Sequence, residues 1–403
     1  MYLRVIDSEY TVAEDGYKEK TPIVHVFGRN ASWERRHLPI VGYRPYFGVR
    51  QSEWVQKAEE VAEDDRVQAV ETTDWQGRPE QTIDGEPMVR VVCREPSDVG
   101  DLRELFYDPF EADVLFPVRF LVDMADTQWI EVPDSVADTE YTVQDALPVS
   151  DVRHVERSET PETVPPLRVC TYDIEVAQGG DGPPVVSQEG TERADNPVTA
   201  ITAHDSYTDE YVVWLTAHPS WDGVAYDEID SYEQDNPCDV YIYENPHDTV
   251  AQFFEWVTDR DMDALTGWNA SGFDHPYLVN YARLNGIGAV YDASPLGEVY
   301  PMDGDGNFIN SSFKGRLLLD SLSLYQKSQI HELDSYRLAD VAEAEGVSVG
   351  KLDLESEVGE TDGEPAIDYA WKHDPATFAE YSLRDVQACV AINRESQKNV
   401  SII

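Results

Sequence analysis

Hydrophobic residues in this chain fall into short runs, and the spacing within each run predicts its element. Leu167 to Val176 reads as a strand, and from Val169 to Val176 the run is hydrophobic and β-prone, interrupted by two carboxylates at Asp173 and Glu175. Ala177 to Asn196 contains Gly-Gly-Asp-Gly-Pro-Pro and reads as a loop. Val198 to Ala203 and Glu210 to Leu215 read as two paired strands. From Asp248 onward, Val250, Phe253, Phe254 and Val257 recur at helical spacing. Ala264 to Asn269 is a further strand. Asp274 to Asn285 is a helix with Tyr277, Leu278, Tyr281 and Leu284 on its buried side and Gly286 as its stop. Gly315 to Asp320 is again a strand. A last long helix opens at Pro375, a good first-turn residue, and runs to Ser396. This order predicts a mixed sheet covered by helices.

The first 135 residues predict a separate mixed α/β unit. Met1 to Ile6, Ile23 to Gly28, Arg44 to Val49 and Met88 to Cys93 read as strands, with Glu14-Asp-Gly16 as turn chemistry; a short strand near Tyr141 to Val143 falls in the connector that follows. Ser52 to Ala62 has helical periodicity with Ser52 as its N-cap. A second helix opens at Pro96 and carries Val99, Leu102, Leu105 and Phe106 on one face. Val114 to Val122 reads as a strand broken at Pro117. Residues 136–166 are polar and weakly periodic, and read as a connector.

Charge changes the picture. Thirty Lys+Arg face 79 Asp+Glu, a formal net charge of -49, and no lysine lies between Lys57 and Lys314. Ordinarily this would exclude a nucleic-acid partner, because phosphate binding wants a basic patch. Yet the chain keeps 41% hydrophobic residues, with 9 Trp and 22 Tyr, so it is no disordered acidic polymer. Acidity spread over a normal core fits a protein working in a high-salt cytosol, where surface repulsion is screened. The alternative is an ordinary acidic protein. Four scattered cysteines without a C-x-x-C pair argue against a zinc or disulfide framework. No apolar run reaches the roughly 20 residues that span a bilayer, and no signal peptide is evident, so no membrane partner is expected.

Candidate chemistry rests on carboxylates. Residues two apart on a strand share a face, so Asp173 and Glu175 project together, and they repel unless a cation lies between them. The simpler reading is one solvated acidic face. Asn269-Ala-Ser-Gly-Phe-Asp274 sits at a strand-to-helix junction, where Asp274 could be an N-cap and no more. Tyr381-Ser-Leu-Arg-Asp385 puts Tyr381 and Asp385 on one helical face, which alone reads as an exposed pair. His275 beside Asp274 reads as structural.

In order, D-I-E, N-x-x-x-F-D and Y-x-x-x-D resemble the three exonuclease motifs of the DEDDy 3′–5′ exonucleases, and more closely the proofreading domain of archaeal-type family B DNA polymerases. Singly each motif is unspecific; their order, each on the expected element, carries the resemblance. Arg44-Pro-Tyr-Phe47, Pro117-Val-Arg-Phe-Leu-Val122 and Asp7 to Gly16 extend it into the N-terminal unit, and Lys314-Gly-Arg316 with Asp320 extends it past the second motif. The resemblance implies a ribonuclease H-like α/β exonuclease domain at 167–396, an N-terminal family B domain at 1–135, and a link at 397–403 into a polymerase core beyond this chain. It implies two divalent cations, Mg²⁺ or Mn²⁺, about 4 Å apart. Asp173 would bridge both, Glu175 and Asp385 would hold the one that activates water, and Asp274 would support the second. Tyr381 would orient the water, Phe273 would stack on the terminal base and Asn269 would position the single strand. Hard cations want carboxylate oxygen, and the nine histidines are scattered, as this requires. The partners implied are a single-stranded or frayed 3′ DNA end and a sliding clamp bound through the polymerase core. Asp320-Ser-Leu-Ser-Leu-Tyr325 superficially matches a polymerase metal motif but lies between the second and third exonuclease motifs, with Gln326 where that motif has Pro. A stand-alone exonuclease and a non-catalytic single-stranded DNA-binding module are the alternatives. Tyr10, Pro45 and Arg119 match loosely a family pocket that reads deaminated template bases; core packing and a surface arginine are the simpler reading.

Overall fold

A computed structural model describes this chain except residues 15–19, 75–76, 135–144, 180–183, 189–190, 236, 300–312, 330–331, 348, 350–351 and 400–403. The strand expected near Tyr141, part of the turn at Glu14-Asp-Gly16 and the end of the 397–403 link lie outside the described residues. The chain divides into two units, Met1–Pro166 and Leu167–Ile403.

In the first unit, β1 (Tyr2–Glu14), β2 (Lys20–Asn30) and β3 (Arg35–Val41) form antiparallel neighbours. β4 (Tyr46–Arg50), α1 (Gln51–Val61), β5 (Val67–Glu71), β6 (Met88–Cys93), α2 (Pro96–Arg103), α3 (Phe116–Met124) and β7 (Trp129–Glu131) follow. β8 (Leu147–Pro148) and β9 (Arg153–His154), both inside the polar 136–166 stretch, complete a sheet of order β8-β3-β2-β1-β7-β9, while β4, β6 and β5 make a smaller one. Leu3, Val24, Val26, Leu38 and Ile40 pack with Phe116, Phe120 and Met124 in its main core.

Two local expectations are corrected here. Val114 to Val122 is not a strand: α3 takes its place, with Pro117 in the first helical turn. Proline's missing N–H is harmless there, and Phe116, Phe120, Asp123 and Met124 recur at helical spacing toward the core, which outweighs the β-propensity of the run. Ser52 does not cap α1; Arg50 is the N-cap residue and makes no side-chain capping bond.

The second unit runs β10 (Val169–Val176), β11 (Ser187–Gln188), β12 (Thr191–Glu192), β13 (Val198–Asp205), β14 (Glu210–Thr216), α4 (Gly223–Asp235), β15 (Cys238–Tyr243), α5 (Pro246–Asp259), β16 (Ala264–Gly267), α6 (Asp274–Leu284) and α7 (Ala289–Asp292). It ends with β17 (Leu317–Asp320), α8 (Ser321–Ser328), α9 (Leu338–Ala344), α10 (Leu354–Val358), α11 (Ala366–His373) and α12 (Pro375–Asn399). The sheet is mixed, of order β15-β14-β13-β10-β16-β17. β13 pairs antiparallel with β10 and β14, and the remaining pairs are parallel. Sequence periodicity missed α4, β15 and α9 to α11. Leu284, expected on the buried side of α6, is 57% exposed.

The two faces of β10 are covered differently. Cys170, Tyr172, Ile174 and Val176 enter the core built by α5 and α6. Strand alternation then sends Asp173 and Glu175 to the opposite face. There α12 packs against β10 and β13. Ser382 of α12 hydrogen-bonds Thr202 of β13 at 2.7 Å, and Thr202 stands directly opposite Asp173 in the ladder. That bond sets the register of the helix over the strand.

Candidate active site

Asp385 lies one turn of α12 beyond Ser382, and it meets the strand carboxylates. One oxygen each of Asp173, Glu175 and Asp385 lies within 4.8 Å of the others. Asp173 and Glu175 are half-buried, and Asp385 is buried. Three carboxylates this close repel strongly at an interior dielectric, so the arrangement suits a cation between them. An all-oxygen donor set fits a hard divalent ion, not a soft one.

Asp274 reaches the same strand from the other direction. It is the first residue of α6, whose N-cap is Phe273, so it does not serve as that helix's cap. Its Oδ1 accepts the Ile174 amide at 3.3 Å, between Asp173 and Glu175. The junction depends on close approach: a Cβ on Gly267 would stand 2.4 Å from the Tyr172 carbonyl, and one on Gly272 2.5 Å from Asn269 Oδ1. Asn269 takes the left-handed conformation (φ 64°), tolerated by Asn, and its carbonyl accepts the Gly272 and Phe273 amides. Asn269 is exposed and Phe273 half-buried. Burial pushes the Asp274 carboxyl up to about 7; the Ile174 amide and its own amide oppose this, and the negative charges of Asp320 and Asp385 add to it.

Asp320, which the resemblance places on the strand after the second motif, stands at the end of β17. Its Oδ2 accepts the Ser271 amide at 3.0 Å and hydroxyl at 2.8 Å, and its Oδ1 caps α8 through the Ser323 amide. It thus holds the turn that delivers Phe273 and Asp274. His275 is structural: it is buried, hydrogen-bonds the Tyr172 hydroxyl at 3.1 Å, and burial lowers its pKa to about 3.

Glu175, Phe273 and Tyr381 line one open cleft of 600 Å³, whose far wall is Leu354, Pro365, Ala366 and Ile367. The three motifs therefore contribute to one region of the second unit.

The N-terminal trio is not brought together in the same way. Arg119 is 5% exposed, so it is no surface arginine. It pairs with Glu111 at 2.8 Å and lies over the Tyr46 ring, as does Arg90. It lines a separate 460 Å³ cavity with Tyr46, Met88, Arg90 and Asp123, whereas Tyr10 and Pro45 are not among the lining residues. Tyr10 packs edge-on against Phe116 in the core, and Pro45 is buried.

The second unit is thus a mixed α/β domain with Asp173, Glu175 and Asp385 gathered at a central strand and Asp274 bonded to the same strand, a donor set suited to a hard cation. The family model described as DNA polymerase family B, exonuclease domain, matches residues 107–341, more than half of the chain; Tyr381 and Asp385 lie beyond that match. The chain belongs to the family B DNA polymerases, through their exonuclease domain. It is similar to DNA polymerase 2 of Aeropyrum pernix, 26% identical over 350 residues, which cover 81% of this chain and 37% of that protein. It also resembles the DNA polymerase delta catalytic subunit of Mesocricetus auratus, 26% identical over 297 residues, covering 62% and 24%. Among solved structures, the family B DNA polymerase of Pyrobaculum calidifontis shares the fold, with a TM-score of 0.64 at 23% identity over 98% of this chain and 46% of that one. The chain thus spans less than half the length of these relatives. No helix among the described residues is long and apolar enough to cross a membrane.

Proposed function

We propose that the chain is the N-terminal and proofreading portion of a DNA-directed DNA polymerase, and that its own activity is 3′–5′ hydrolysis of DNA ends. The observation that carries this is the convergence of Asp173, Glu175 and Asp385 to within 4.8 Å. Hydrolysis forms a bond from a water oxygen to phosphorus and breaks the bond from phosphorus to the preceding 3′ oxygen. Bound divalent cations, Mg²⁺ or Mn²⁺ and two in number on this reading, supply the positive charge that this transfer needs. Asp173, Glu175 and Asp385 hold them, with Asp274 behind. Tyr381, on the cleft wall, orients the attacking water through its hydroxyl. Phe273 stacks on the terminal base, and exposed Asn269 steadies the strand. The net charge of -49 favours a high-salt cytosol, and the ions supply positive charge at the site itself, so no local basic patch is needed. A sliding clamp would engage the polymerase core.

The test is digestion of a 5′-labelled single strand in molar salt with Mg²⁺ or Mn²⁺, comparing the native chain with Asp173→Ala. Stepwise shortening by the native chain alone is the expected result. Equal degradation by both would refute the assigned site, and none by either would favour a DNA-binding module.

A further inference from the structure

The strand that carries Asp173 and Glu175 ends in an unusual way. Its ladder with β13 shifts register between Glu175 and Val176, and beyond Val176 one backbone bond continues, from the Ala177 amide to the Pro197 carbonyl at 3.1 Å. Side chains hold the rest of the backbone here. Thr199 Oγ1 donates to the Glu175 carbonyl at 3.0 Å. Asn196 Nδ2 donates to the carbonyls of Ala177 and Gln178 at 2.6 and 2.9 Å. The amides of Gln178 and Gly179 turn the other way and donate to one carboxylate: Asp368 accepts Gln178 N on Oδ1 at 2.9 Å and Gly179 N on Oδ2 at 3.1 Å.

Asp368 is 4% exposed and sits in the first turn of α11. An acid in a first helical turn commonly serves its own helix dipole. Here both oxygens are instead spent on another segment, nearly two hundred residues earlier. A buried carboxylate is tolerable only when hydrogen-bonded, and two amides meet that need. α11 in turn is fixed to α12: Asp374 alone separates them, and Ala370 and Trp371 share a core with Phe378, Ala379 and Leu383. α12 carries Tyr381 and Asp385. Gln178, Ala366 and Ile367, on the two sides of the brace, line the same cleft as Glu175, Phe273 and Tyr381.

We infer that Asp368 is a positioning residue for hydrolysis, bracing the end of the Glu175 strand against the α11–α12 block so that Glu175 and Asp385 hold their separation. The inference rests on the proposed nuclease reading for its consequence, but not for the brace itself. Asp368 touches none of the reacting groups; it acts through Gln178 and Gly179.

The experiment uses the full chain with Asp368→Ala and Asp368→Asn. Hydrogen exchange at the Gln178 and Gly179 amides is measured beside single-strand digestion with Mn²⁺ and thermal melting. The Ala variant is expected to exchange at these two amides about ten-fold faster. Its kcat should fall about ten-fold while the KM for the strand changes less than two-fold, because the cleft remains but the carboxylates lose their spacing. Asn keeps one acceptor oxygen, so its kcat should lie between native and Ala with an unchanged melting temperature. Native exchange in the Ala variant overturns the brace, as does a rate loss that only follows the unfolded fraction. Should Asp173→Ala digest DNA as well as the native chain, the nuclease reading falls, while the exchange data still decide the brace.

Discussion

Two buried aspartates in the second unit show opposite treatments of the same charge. Asp205 at the end of β13 is fully buried; burial raises its pKa, but Arg168, the Tyr207 amide and Arg260 outweigh that and hold it below the usual carboxylate range. Asp274 is driven up to about 7, first by burial, and the charges that act on it from Asp320 and Asp385 are both negative. The first is a finished ion-pair corner that ties β10, β13 and α5 together. The second is a gathering of acids that the fold forces together without lowering their energy. Acidity alone is uninformative in a chain with 79 acidic residues. At Asp205 two arginines outweigh the effect of burial, whereas at Asp274 burial is the larger effect and two carboxylates add to it.

This contrast can be broken experimentally, starting where the effect is largest. Asp385→Asn should cut single-strand digestion about a thousand-fold, near 4 kcal/mol of barrier, while leaving the melting temperature in chelator unchanged or raised, because it relieves repulsion. A large loss of stability with that change would put Asp385 in the structural class. Asp205→Asn should do the reverse: about 2 kcal/mol less stability by urea unfolding, and a native digestion rate per folded molecule. The figure is set low because Arg260 keeps 31% of its side chain in solvent, where pairing is screened. Tyr381→Phe removes one hydroxyl from the cleft and should slow digestion about ten-fold with no change in stability. The smallest effect is in the pH dependence of the metal-free protein. A carboxyl raised from 3.8 to about 7 stabilises the fold fully below its unfolded value and loses that contribution as pH climbs through about 7. Stability in chelator should therefore fall between pH 4 and 7, and Asp274→Asn should flatten that slope. Asp205, with its pKa lowered, contributes above its unfolded value and loses that contribution only as pH drops below it. An unchanged slope in Asp274→Asn would contradict the raised carboxyl.

Much of the second unit was legible because its signals are local. Alternation along 169–176 places Asp173 and Glu175 on one face, and helical spacing places Tyr381 beside Asp385; neither needs a partner to be read. Local signals failed where tertiary burial decided between two acceptable conformations. The Val114 to Val122 run has β-prone composition and also a helical stripe, and only the core formed by Leu3, Val24 and Leu38 selects the helix. The same limit applies to Arg119, whose burial over Tyr46 depends on β4, β6 and α3 meeting.

The strand that brings Asp173 and Glu175 together was determined by the sequence alone, as were the junction bearing Asp274 and the helix bearing Asp385. Which face of that strand α12 would cover was a tertiary decision, made by the packing of Tyr172 and Ile174 on the far side and by the Thr202 to Ser382 bond on the near one. Asp368 was invisible for the same reason, and so was the role of Asp320 as the acceptor that holds the turn before Asp274. A carboxylate that accepts amides from a distant turn has no periodicity of its own, and its role exists only once the chain has folded back upon it.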